Sequence, residues 1–95
     1  MSITVEFLSL PNVAKMVGSR RISMDFSGQT VDELVRGVAD RYGAGVRRFL
    51  LDETGHLDPT LKITINNRDW IRRDEMNRPL RDGDCVTILM LVSGG

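Results

Sequence analysis

TVDELVRGVADRYG, residues 30–43, is the stretch on which the fold turns. Thr30 and Glu33 have the spacing of a capping box, in which a hydroxyl takes the third backbone amide and a carboxylate reaches back. Behind them Val31, Leu34, Val35, Val38, Ala39 and Tyr42 recur at helical spacing. Gly43 stands where helices commonly end in a glycine. The pattern predicts an amphipathic helix over 30–42 with one buried stripe, and such a stripe needs an apolar layer to lie against.

The segments on either side supply that layer. ITVEFLSL (residues 3–10) alternates, with Ile3, Val5 and Phe7 on one face and Thr4 and Glu6 on the other. RRISMDF (20–26) alternates again through Ile22, Met24 and Phe26 and reads as the second arm of an opening hairpin. PNVAKMVGS (11–19) between them is a loop with room for one helical turn. After the helix, VRRFLLDETGHLDP (46–59) holds a short helical turn through Val46, Phe49 and Leu50, then loop. TLKITIN (60–66) places Leu61, Ile63 and Ile65 on one face. NNRD is a turn, WI begins a short return strand, NRPLRDGD is turn-rich, and DCVTILMLV (84–92) is the last strand. The order is strand, strand, helix, strand, short strand, strand. That predicts an α+β fold of two layers: a mixed sheet of four to five strands packed on one main helix.

Composition narrows the function classes. Ninety-five residues make one domain, too small for a core plus an elaborate enclosed active site. Basic and acidic residues balance at 13 each, so no overall field draws the chain to nucleic acid or an anionic membrane. The pairs Arg20-Arg21, Arg47-Arg48 and Arg72-Arg73 have acids nearby and read as solvated, salt-bridging surface. One cysteine makes no internal disulfide, and MSITVEFLSL has no basic n-region or small-residue cleavage site. The longest nearly apolar run, VTILMLV, is far too short to span a bilayer. The expected location is the cytoplasm.

Side chains that carry chemistry are scarce. His56, the one histidine, lies in a polar loop. Cys85 begins a strand with no base placed to activate it. Asp82 and Asp84 flank Gly83 as turn formers rather than as an acid/base pair. GAGVRRF has its glycines after a helix, not opening one, so it makes no phosphate cradle. Trp70, after a turn, reads as hairpin packing. Clustered metal ligands are missing. The unusual feature is the close, LVSGG, two bare glycines with nothing after them.

The order of elements and this tail together resemble the ubiquitin-like, β-grasp sulfur carriers of the MoaD/ThiS type. These include the small subunit of molybdopterin synthase and the thiamine-pathway carrier. Four stretches carry the resemblance: TVDELVRGVADRYG as the helix, ITINNRDW as strand and hairpin, PLRDGDCVTIL as the turn into the last strand, and the closing GG. Ser93 stands where these families often have alanine. The length and the long middle loop look most like the molybdopterin synthase small subunit.

The resemblance implies a β-grasp domain over 1–91 and a flexible tail over 92–95. It implies that a partner of the ubiquitin-activating type, using ATP, adenylates the Gly95 carboxylate. A sulfurtransferase or sulfide source then leaves a thiocarboxylate, and a large catalytic acceptor subunit receives the sulfur. Val92, Ser93 and Gly94 would thread the partner's channel; Gly95, without a Cβ, leaves its carbonyl open to attack. The chain would be a substrate, not catalytic alone, with no cofactor or metal of its own. Docking affinity falls to the last strand. Val86 and Ile88 would face the helix and Leu89 and Leu91 the uncovered face, so Leu89, Met90 and Leu91 are the expected docking residues. Thr4, Glu6 and Leu8 frame that patch if the first and last strands are neighbours, as in relatives.

Molybdopterin is the first acceptor this resemblance suggests, with cysteine, methionine or thiamine routes as alternatives. Two other classes stay open. The same activated Gly95 could be attacked by a lysine amine, which would make the chain a protein modifier. Or the tail is inert and the domain only binds.

Overall fold

The computed structural model describes residues 1–91. These form five strands and three α-helices: β1 (Ser2–Leu8), α1 (Pro11–Val17), β2 (Arg21–Asp25), α2 (Val31–Tyr42), α3 (Ala44–Leu50), β3 (Leu61–Ile65), β4 (Asp69–Ile71) and β5 (Cys85–Met90). A 3-10 turn, Arg73–Glu75, lies between β4 and β5. The strands make one sheet in the order β2-β1-β5-β3-β4. β1 pairs antiparallel with β2 and parallel with β5, and β3 pairs antiparallel with both β5 and β4. The sheet is therefore mixed, and the expected β-grasp architecture stands.

Alternation fixes which face is buried. Ile3, Val5 and Phe7 of β1, Val86 and Ile88 of β5 and Ile63 of β3 are all 1% exposed or less. They meet Val31, Leu34, Val35 and Val38 of α2 in one apolar cluster. Val13 of α1 and Val46 and Leu50 of α3 join the same cluster, so all three helices lie on one side of the sheet. Two of those helices exceed the expectation of isolated turns: α1 and α3 run seven residues each. Gly45 lets them approach closely, since a Cβ there would come 2.8 Å from the Met16 sulfur.

The start of α2 is tied down by more than its own cap. Thr30 Oγ1 accepts the Glu33 amide at 3.2 Å. Its hydroxyl donates to the Glu33 carboxylate, so that carboxylate reaches the side chain of the cap rather than its backbone amide. The Val31 and Asp32 amides, which a helix leaves unpaired, donate to the carbonyls of Arg78 and Met76 at 3.1 and 2.9 Å. The segment before β5 thus doubles as a second cap. The turn into β5 needs Gly83 at φ +87, and Asp82 and Asp84 brace it by accepting from the amides of Ser2 and Arg81. The β3–β4 turn uses Asn66 and Asn67 at φ near +57, a conformation asparagine tolerates.

Candidate functional site

The chain leaves the sheet from its central strand. Leu8, at the end of β1, is the partner of Leu89, and Leu61, at the start of β3, is the partner of Met90. Leu91 follows directly, between these two strand ends, and is 53% exposed. Val92, Ser93, Gly94 and Gly95, the expected threading and reacting residues, lie outside the described residues, as does the expected tail domain. What the structure positions is their point of departure.

The face of the sheet turned away from the helices carries the residues between the core positions. Across it run Leu8, Leu89 and Lys62, one on each of three adjacent strands. Leu89 is 9% exposed, so near the exit the accessible apolar surface belongs to Leu8, at 41%, and Leu91. One row further in, Thr87 sits between Glu6 and Thr64. Its Oγ1 is buried with no hydrogen-bond partner among the described residues, a state that costs free energy and is uncommon. Glu6 carries the face's charge on the β1 side and meets Arg21 at 3.8 Å.

Met90 lies apart from the neighbouring expected docking residue Leu89. It was grouped with Leu89 and Leu91 as docking surface, but a strand turns alternate residues to opposite faces. Met90 therefore shares the helix side with Val86 and Ile88. There it closes a small groove of about 120 Å³ lined by Leu10, Pro11, Val13 and Phe49. The end of β5 has apolar surface on both sides: Leu89 with Leu8 on the open face, Met90 with Phe49 behind, and the exposed Leu91 just past the strand. Phe49 was read only as part of a helical turn, and Lys62 was not singled out. The outward position of Lys62 in TLKITIN was the available signal for it.

Among the described residues, groups capable of catalysis are not gathered at this exit. Cys85 lies at the opposite end of β5, partly buried, its amide donating to Asn66 Oδ1 at 2.8 Å. His56 belongs to a turn organised by Asp52, which accepts from the Thr54 hydroxyl at 2.6 Å and from the Thr54 and His56 amides. Those bonds, the Thr54 hydroxyl first, hold the Asp52 carboxyl below its ordinary pKa. Asp69 is likewise lowered, chiefly by the Arg78 guanidinium 2.8 Å away. Both carboxylates serve local structure. No group of acids, histidines or cysteines able to hold a metal occurs among the described residues. No helix among them is long and apolar enough to cross a membrane. Trp70 departs from its reading as a packed hairpin residue: it faces Thr64 across the ladder on the outermost strand and is 57% exposed.

Comparison with known proteins agrees with this fold. A family model described as ThiS family matches residues 12–95. The sulfur carrier protein CysO of Mycobacterium tuberculosis is 29% identical over 97 residues, covering all of both chains. Among solved structures, SAMP1 of Haloferax volcanii superposes with a TM-score of 0.79 at 19% identity over the whole of both chains. The structure of the Amycolatopsis orientalis BexX/CysO complex matches with a TM-score of 0.69 at 29% identity, covering 98% of this chain and 99% of that one.

Proposed function

The chain belongs to the ThiS family, and from that membership we propose that it is a sulfur carrier whose working group is the Gly95 carboxylate. The observation that carries the reading is the family match running to residue 95, through Gly94-Gly95. A carboxylate is a poor electrophile until one oxygen becomes part of a leaving group. An ATP-using partner makes the acyl-adenylate and releases pyrophosphate. A sulfur nucleophile then displaces AMP and leaves a thiocarboxylate, which passes its sulfur to an acceptor enzyme. In this reading the chain contributes no cofactor, metal or general base of its own. It presents the tail and the surface by which partners hold it, and dependence on ATP favours a cytoplasmic location for this reading.

The tail's glycines lose much conformational freedom on threading, so docking energy has to come from the folded domain. The apolar residues around the exit are suited to that. The curated relative bears the name of a sulfur carrier, and one structural match is of such a carrier in complex with another protein. Both support a carrier working with protein partners. Neither name points to molybdopterin, the acceptor first suggested by the sequence, and we place this chain with the carriers of the CysO type.

Intact-mass spectrometry of the untagged protein from its own cells, with an immunoblot of the lysate, tests the reading. A gain matching one oxygen replaced by sulfur, without higher bands, is the expected result. Unmodified mass with a ladder of larger species would instead make the chain a protein modifier. Unmodified mass and no ladder, in samples protected from thiocarboxylate hydrolysis, would leave the tail inert and overturn both.

A further inference from the structure

Lys62 pairs with Leu89 on one side. On the other, the β3–β4 register sets Ile63 against Ile71, and continuing it by one residue brings Arg72 opposite Lys62. Arg72 lies just past β4, so the two cations flank the end of this ladder and line the same cavity, and like charges held close together are unfavourable in the free chain. Neither is firmly neutralised. Lys62 makes no ion pair among the described residues. Arg72 meets Asp74 only at 3.6 Å, with the two side chains 77% and 74% exposed, the kind of contact that holds little. Arg73 is next to them and meets Asp52 at 3.8 Å.

These cations rim a cavity of about 230 Å³ with an apolar floor that includes Leu57, Ile71 and Met76. The exposed Trp70 stands on its wall. Its one carboxylate, Asp58, is turned to Thr60, accepting from the amide at 2.8 Å and the hydroxyl at 2.6 Å. The groove therefore offers an apolar floor, an indole and cations whose nearest acids hold them loosely.

We propose that this groove docks a protein partner through a surface segment in which an aspartate or glutamate adjoins an apolar residue. The carboxylate lies between Lys62 and Arg72, and the apolar side chain enters the cavity beside Trp70. Charge selects this occupant. A basic segment is repelled, and a neutral one buries two neighbouring cations without a counter-charge. Nucleic acid calls for a longer basic track than this rim, which has Asp52 and Asp74 at its border. The proposal goes beyond the carrier reading and does not need the tail.

Trp70 is the protein's one tryptophan, so its emission reports directly on the groove. The probe is a short capped peptide alternating glutamate and leucine, titrated at low ionic strength into the full chain and into a chain lacking Gly94-Gly95. Both chains are expected to show the same saturable shift of emission to shorter wavelength. Affinity should fall at least about tenfold on raising salt well above physiological strength, and at least about tenfold in K62E/R72E. The same peptide with glutamine for glutamate should leave the emission unmoved. Circular dichroism checks that the double variant folds; if it does not, K62Q/R72Q replaces it, with a loss of at least about threefold expected. No saturable shift, equal binding of the glutamine peptide, or unchanged affinity in the folded variant overturns the proposal. So does a shift produced by vesicles containing phosphatidylserine but not by the peptide. Failure here leaves the sulfur chemistry untouched, because that is read by mass.

Discussion

Thr30 anchors the start of α2 through a single oxygen atom, which both accepts the Glu33 amide and donates to the Glu33 carboxylate. Thr30→Ala removes both bonds and should cost about 1 kcal/mol. In a domain of this size that lowers the melting temperature by about 4–8 °C, and Thr30→Ser should recover most of it. The Asp52 turn gives a prediction in pH. A carboxyl held below its reference value of 3.8 stabilises the fold above that pH and loses the contribution as pH falls through its folded pKa. The Asp52 carboxyl-carbon signal should therefore stay that of the ionised group down to the reference value and change only in more acid solution. Thr54→Val deletes the largest cause of the shift, so carboxyl-carbon titration by NMR should find the Asp52 midpoint moved upward, toward 3.8.

At the scale of elements, legibility followed length and contrast. α2 could be read because twelve residues repeat an apolar stripe behind a capping residue. β1, β3 and β5 could be read because inward and outward residues alternate. α1 and α3 could not be given their full extent: seven residues make about two turns, too few for a period, and packing rather than propensity holds such helices. Leu50, fully buried in α3, tests this. Leu50→Ala should cost about 2–5 kcal/mol by chemical denaturation, and Phe49→Ala, one residue earlier and 40% exposed, much less. Within the candidate site the same two-residue period that revealed β5 sets Leu89 on the open face and Met90 on the helix side. Trp70 was misjudged because nothing in NNRDWI says that its strand is the last in the sheet. The tail's chemistry was legible only through resemblance, since glycines carry no functional group that a pattern could single out.

At the scale of the whole molecule, the open face and the tail exit meet at Leu8 and Leu91. Leu8→Asp with Leu91→Asp alters two exposed positions, so folding stability should stay within about 0.5 kcal/mol of the parent. Adenylation by the activating partner should fall steeply, measured as ATP–pyrophosphate exchange; unchanged exchange would remove the open face from docking. The topology has a consequence for how the protein comes into being. β5, the last strand to be translated among those described, is the one that β1 and β3 both need. On the ribosome the nascent chain can form the β1–β2 hairpin and α2, but it cannot join its two halves until residues 85–90 have emerged. A prematurely terminated product would carry two raw strand edges and an open core, marking it for proteolysis or aggregation rather than for use. Completion of the fold and delivery of the residues that follow β5 are thus the same event, and a half-made chain has no finished surface to offer a partner.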